Sequence, residues 1–280
     1  MHIFKNFIIL ISFIFFLACS KSNNINTKNE LNENDIELQV LQSYKEGMKE
    51  LENGDALFAA KKFNEVEILF PQSEWASKST LMAAYAYYSQ DYYFDAAEEL
   101  KIFFKKYPNH PNSDYATYLM AMTYYEQIVD EKKDLNSIMM AMEYFQKVVN
   151  KYPNTDYAID ANFKIDLITD ILASKEMYLG RYYFERKKWI AAINRFRYVI
   201  DNYDTTIYTE EALHRLVEIH YRIGMLDEAE KYAALLGYNY LSSTWYEKSY
   251  SLLNKNYQEK SKNKNKDKNF IIEKFKSLFN

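Results

Sequence analysis

The sequence predicts an all-α superhelical solenoid of about five stacked helix pairs. Three observations predict it. A local phrase recurs: FPQSEWA from Phe70, YPNHPNSDYA from Tyr107, YPNTDYA from Tyr152 and a worn YDTTIYT from Tyr203. A chain that repeats a phrase usually repeats a structural unit. Breakers are scarce, with five Gly and four Pro in 280 residues, far fewer than the turns of a sheet protein need. Finally, apolar residues precede each hinge aromatic at helical spacing. Eleven residues before Phe70, Tyr107, Tyr152 and Tyr203 stand Ala59, Ala96, Ala141 and Ala192. Seven before stand Phe63, Leu100, Phe145 and Phe196; four before stand Val66, Phe103, Val148 and Val199. These offsets share one helical face. Tyr240 gives a fifth, weaker copy with Ala229, Ala233 and Leu236.

The first element, residues 1–18, reads as an address. MHIFKNFIILISFIFFLACS has one early Lys, an apolar run from Phe7 to Leu17, then Ala18-Cys19. The run is about half of what a spanning helix needs, so it is a signal peptide. A small residue before the chain's only cysteine resembles the bacterial lipobox, although Phe16 and Leu17 depart from it. That resemblance makes Cys19 the lipidated N-terminus of the mature chain. Each buried CH₂ of an acyl chain is worth about 0.8 kcal/mol, so two or three chains hold firmly. Ser20 after the cysteine implies the outer membrane by analogy with enteric lipoproteins. Residues 19–36 are polar, with too little apolar surface to order themselves, and are expected to form a tether.

Residues 37–253 form the repeat domain. Pro71, Pro108 and Pro153 stop each second (B) helix. Twelve residues before the repeat alanines stand Gly47, Ala84, Gly180 and Val217, with the third copy interrupted. Small residues there would let a first (A) helix approach its partner, small facing small. This spacing resembles the tetratricopeptide repeat. The alanine intervals of 37, 45, 51 and 37 all exceed that repeat's basic length of about 34. Val129–Ser137 is expected to be an inserted loop, and KIDLITDILASKEMYLGRYYFERKKW an extended fourth A helix. Ser73, Ser113, Thr155 and Thr206 are N-cap candidates after each hinge. Trp75, Tyr115, Tyr157 and Tyr208 follow and are expected to pack on the preceding B helix.

The last element, residues 254–280, is basic. From Lys255 onward eight Lys face three acids, or +5; the net charge of −4 then leaves −9 for the rest. An acidic body argues against nucleic acid, which needs a basic stripe. Ile271, Phe275, Leu278 and Phe279 would share one face of a short amphipathic helix, suited to anionic lipid or a partner; disorder is the alternative.

Several stretches go beyond a generic repeat. FPQSEWASKSTLMAAYAYY, the double-proline YPNHPNSDYATYLMAMTYYEQIVD, RYYFERKKWIAAINR and EALHRLVEIHYRIGMLDEAEKYAALLGYNY resemble the BamD family of outer-membrane assembly lipoproteins, over roughly 37–253. Asp204, in place of a hinge proline, and the Lys/Asn-rich tail depart from that pattern. The resemblance implies a non-enzymatic scaffold, lipid-anchored on the periplasmic face of the outer membrane. It implies partners too: BamA, further assembly lipoproteins and unfolded β-barrel chains. Tyr44, Met48, Leu81, Tyr85, Tyr88, Tyr118 and Tyr125 are expected to face outward from the first three A helices. They would form a groove for an extended apolar peptide such as a barrel protein's C-terminal segment. Arg195 matches the family arginine that faces BamA, where its planar fork suits a carboxylate. Trp189 is expected in the core.

No Gly-rich phosphate loop, HExxH or metal-ligand spacing occurs, and His214 and His220 are expected to be ordinary surface or packing residues. No metal and no cofactor beyond the lipid on Cys19 is expected. The rival reading is another periplasmic scaffold lipoprotein, a secretin pilotin or a cell-wall coordination factor.

Overall fold

Eleven helices and no strand follow one another among the described residues, 33–128 and 135–254, of the computed structural model. They alternate as A and B members of hairpins. The pairs are α1 (Glu33–Glu52) with α2 (Ala56–Leu69), α3 (Glu74–Ser89) with α4 (Tyr93–Lys106), and α5 (Ser113–Tyr125) with α6 (Asn136–Lys151). Next come α7 (Asp156–Glu185) with α8 (Trp189–Asn202), and α9 (Thr209–Arg222) with α10 (Leu226–Asn239); α11 (Thr244–Leu253) follows unpaired. The extended fourth A helix is α7, at 30 residues. Helix α1 starts inside the expected tether. The signal peptide with Cys19, residues 129–134 of the expected insertion and the tail from 255 lie outside the described residues; Asn136 and Ser137 belong to α6.

Two turns recur. At each B-to-A hinge, the aromatic residue has φ between −126° and −137° and ψ between 37° and 58°. Its N–H donates to the carbonyl four residues back, at 2.8–3.0 Å. Its own carbonyl accepts from the N–H three residues on. Tyr203 and Tyr240 do this without a following proline. The ring and its two hydrogen bonds therefore define the hinge, and proline only removes a competing donor.

The A-to-B turn is a Schellman motif. Gly54, Asp91, Lys187 and Gly224, each sixteen residues before a hinge aromatic, sit at φ of 81°, 63°, 54° and 83°. The next N–H bonds five residues back, as Tyr92 to Tyr87 and Met225 to His220. Two of the four left-handed positions carry a side chain, at a steric cost of about 1–2 kcal/mol each. That is one way so few glycines suffice.

The four cap candidates divide. Thr155 Oγ1 accepts from Ala158 N at 3.2 Å, as expected. Ser73 makes no cap bond. Ser113 and Thr206 instead donate back to the carbonyls of His110 and Tyr203, at 2.7 and 2.8 Å. After Tyr107 and Tyr203 the helix starts six residues on rather than four, which moves these hydroxyls out of cap register. Ser243, in the shorter register, caps α11 through Trp245 N at 3.1 Å.

Pairing within a hairpin also differs from small-facing-small. A Cβ built on Gly47 would lie 2.7 Å from Phe63, and one on Gly180 would lie 2.5 Å from Phe196. The small residue faces the large apolar side chain four positions beyond the repeat alanine. Ala84 meets Leu100 in the same way within its cluster. In the third pair Ala121, buried in one cluster with Phe145, is the small residue that the insertion hides from the sequence count. Phe63, Phe145 and Phe196 are fully buried.

Successive A helices touch: α1 with α3, α3 with α5, α5 with α7 and α9 with α11. Each B helix packs instead on the A helix that follows it, so the stack curves toward its A side. At its C-terminal end, buried His214 reaches Ser249 of α11 through Nδ1 at 2.8 Å, with its ring 5.2 Å from Trp245. His220 is buried against Tyr232. Both histidines are packing residues, not surface ones.

Two outcomes are expected. Gly180→Ala gains up to about 1 kcal/mol of helix propensity but overpacks Phe196, a cost of about 1–3 kcal/mol. Chemical denaturation should show a net loss, and a double-mutant cycle should show that Phe196→Leu reduces it. Second, burial lowers the His214 pKa to about 4. The unfolded imidazole, near 6.5, takes up protons first, so stability present above that pH falls as the pH drops toward 4. The full span is worth about 3 kcal/mol. Denaturation midpoints at pH 7 and pH 4.5 should differ more for the parent chain than for His214→Gln.

Candidate functional site

The A side of the stack carries a row of aromatic rings. Tyr44 on α1 packs against Phe63 of its own B helix at 5.4 Å and against Trp75 of the next A helix at 4.9 Å. On α5, Tyr118 sits 5.2 Å from Tyr157 of α7, and Tyr115 sits 5.6 Å from the same ring. The Tyr118 hydroxyl donates to Asp160 Oδ2 at 2.6 Å, which ties the two A helices together. Between these groups, α3 presents Tyr85, 37% exposed, and half-buried Tyr88, 6.0 Å from Tyr93.

Burial raises the pKa of Tyr88, Tyr115 and Tyr118, and for Tyr118 the Asp160 bond adds to it. Burial, reinforced by a hydrogen bond to Asp91, pushes Tyr93 up to about 12. These phenols keep their protons at neutral pH. The row is therefore an apolar floor edged with neutral hydroxyls. Such rings give large, rigid contact area with a polar handle.

A cavity of about 540 Å³ adjoins the first rings, between the start of α1 and the Phe70 hinge. Ile36, Val40, Leu69 and Trp75 are among its lining residues. Ser73, also in the lining, has its hydroxyl oxygen buried without a hydrogen-bond partner. Glu37, Gln72 and Glu74 complete a mixed rim, so an apolar side chain with polar or basic neighbours would suit such a recess.

The structure redistributes the expected groove residues. Tyr44, Tyr85, Tyr88 and Tyr118 belong to the row. Leu81 does not: it is 4% exposed, enclosed in the cluster that holds Leu100 and Phe103. It stands eleven residues after its hinge, on the face that its own B helix and the next A helix cover. Met48 is partly buried in the core of the first pair. Tyr125 packs edge-on against Phe145, with Lys164 Nζ 4.6 Å above its ring. Trp75 and Tyr157, expected against the preceding B helix, meet rings of the preceding A helix, Tyr44 and Tyr118, and Tyr157 also packs on the cluster that holds Phe145 and Val148 of α6. They lie five residues after a hinge, in the first turn of an A helix, and so meet the A row. The recurring phrase contained that signal.

Arg195 is not a free guanidinium. Its Nη1 donates to Glu176 Oε2 of α7 at 2.9 Å, with 42% of its side chain exposed. The bond orients the fork and leaves further donors for a second acceptor. Exposed Ile190, at 78%, and Tyr198, at 47%, share helix α8 with it. Trp189 is only partly buried, 5.6 Å from Phe184.

Residues 37–235 match the family model YfiO, described as outer membrane lipoprotein. A relative from Caulobacter vibrioides, outer membrane protein assembly factor BamD, is 44% identical over 213 residues. The match covers 76% of this chain and 70% of the relative. The protein of the same name from Rickettsia prowazekii is 42% identical over 231 residues, covering 82% of this chain and 92% of the relative. One from Neisseria gonorrhoeae is 31% identical over 189 residues, covering 64% and 70%.

Proposed function

This chain belongs to the YfiO family of outer membrane lipoproteins, and from that premise we propose that its two faces bind two different partners. The chain is an outer-membrane protein assembly factor, associated with that membrane, and a scaffold rather than an enzyme. Its finer role is our reading. Cys19 carries the lipid that holds the chain to the periplasmic face. The A-side row receives extended segments of unfolded β-barrel proteins. The surface around Arg195 meets BamA.

The tyrosine row carries this reading. An unfolded barrel strand alternates apolar and polar side chains and has unpaired backbone groups. Rings floor the apolar half of such a segment, and hydroxyls that stay protonated can donate to its carbonyls. The cavity beside Trp75 can seat a terminal apolar side chain. The shape demands no sequence beyond that alternation, which is what a factor serving many barrels needs. On the other face, the Glu176 bond holds the Arg195 fork in place before an acceptor arrives, so less side-chain entropy is lost on binding.

Two outcomes test the reading. Tyr85→Asp should weaken binding of a barrel-protein C-terminal peptide by about tenfold or more, measured by fluorescence anisotropy. Unchanged affinity would remove the row from substrate binding. Arg195→Ala should lower capture of BamA with an unchanged helical circular dichroism spectrum, and Glu176→Gln should lower it less. Full capture by both variants would place the interface elsewhere.

A further inference from the structure

Helix α7 offers a place in the stack that the described residues leave open. Its second half pairs with α8: Gly180 touches Phe196 and Glu176 holds Arg195. Its first half, 156–171, runs beyond that partner. There the buried face, Ala158, Ala161 and Ile168, packs into the cluster of the third pair. Among the described residues, the opposite face has no B helix of its own.

Register makes this visible. Fourteen residues after a hinge aromatic, Ala84, Ala121 and Val217 are buried beneath a B helix, whereas Asp166 is exposed. Ten residues after, Thr80, Thr117 and Leu213 are buried, whereas Asn162 is exposed. Eleven after, Leu81 and His214 are buried and Tyr118 is half-buried, whereas Phe163 is 64% exposed. Ile159 and Leu167, 59% and 49% exposed, line up with Phe163 at i, i+4 and i+8; the register of Leu167 is open in α3 too, where Tyr85 stands. At Asn162 and Asp166, beside this stripe, α7 thus exposes positions that its siblings bury.

We propose that this chain's own C-terminal segment, 270–279, covers that face as an amphipathic helix. Asp166 and Asp170 lie along the stripe, and neither makes an ion pair among the described residues. The occupant should therefore be apolar on one side and basic at its flanks. The segment carries Ile271, Phe275, Leu278 and Phe279 at helical spacing, with Lys274 and Lys276 on either side of them. Its own apolar face needs a partner as much as the stripe does. It is also within reach. Helix α11 is separated from α7 by three helices, or roughly 40 Å at 8–10 Å per packed helix. Residues 255–269 can span at most about 50 Å.

A cross-link tests it in the full-length chain with Cys19→Ser. Leu167→Cys combined with Phe275→Cys should form an intramolecular disulfide under mild oxidation. It should form about tenfold faster than Ile190→Cys with Phe275→Cys, because docking raises the effective concentration above that of a merely tethered tail. Ile190 is the control because it is equally apolar, 78% exposed and on α8, nearer to α11 than α7 is. Adding Asp166→Lys and Asp170→Lys should return the rate to that of the control. Adding Lys274→Glu and Lys276→Glu as well should restore it. Equal rates in the two cysteine pairs, disulfide-linked dimers in place of the intramolecular link, or a rate indifferent to charge reversal would each overturn the proposal. Circular dichroism confirms that every variant is folded; all the altered positions are at the surface or in the tail.

Discussion

A large apolar side chain from each of the first four B helices, set against a small residue on its A helix, is the contact on which this fold depends. Phe63 fills the space over Gly47, and Phe196 fills the space over Gly180, with no room for a methyl group. Removing such a ring costs about 3–5 kcal/mol in a packed core. The contact also dictates register, because ring and gap meet at only one sliding position of the hairpin. Register in turn places the hinge aromatic at the end of each B helix. There the same two backbone hydrogen bonds form whether proline or Asp204 follows. Local conformation is therefore selected by packing between helices, and the breakers reinforce a decision already taken.

Once the hairpins are in register, the A helices touch one another, whereas the first two B helices meet through long side chains, Asn64 with Glu99 and Lys106 with Glu67. The first-turn aromatics of each A helix then fall on the preceding A helix, as Tyr157 falls on Tyr118. The proposed binding surface is thus tied to stacking: rings that knit the repeats together also line the A side. A residue of the proposed groove has two roles, and a substitution chosen to disturb binding must spare the stacking contact. Tyr85, the most exposed of the expected tyrosines, meets that condition best.

The repeat number, the hinges, the paired-helix architecture and the long α7 were all legible, because each leaves a periodic trace in apolar residues and prolines. Less was legible wherever a two-residue difference decides the outcome. Ser113 and Thr206 look like caps but follow the longer hinges, so their hydroxyls make the bond back to a carbonyl that Thr155 also makes, without its cap. Leu81 and Tyr85 are four apart on one helix, yet one is enclosed and the other open. The difference is set by the position of two neighbouring helices that the residue's own sequence context does not encode. Lys187 in a left-handed turn carries no local signal at all, since the Schellman geometry is imposed by the hairpin. The Arg195–Glu176 pair joins residues nineteen apart on different helices, which no helical period connects.

The departures from the repeat deserve as much weight as the repeat itself. A perfect solenoid buries every A helix equally and offers partners only its two sides and its ends. The alanine interval of 51 breaks that equality. About fourteen extra residues lengthen α7 without supplying a B helix to match, so one layer is left half covered. The surplus stretch keeps its inner face, Ala158, Ala161 and Ile168, because α5 and α6 still demand it. Its outer face is no longer under that demand, and Asp166 occupies the place where the siblings carry Ala or Val. That the same face retains Ile159, Phe163 and Leu167 is the informative part. A helix surface meant only for water would have no reason to keep three large apolar side chains in line. The acid among them narrows what can lie there to something both apolar and basic.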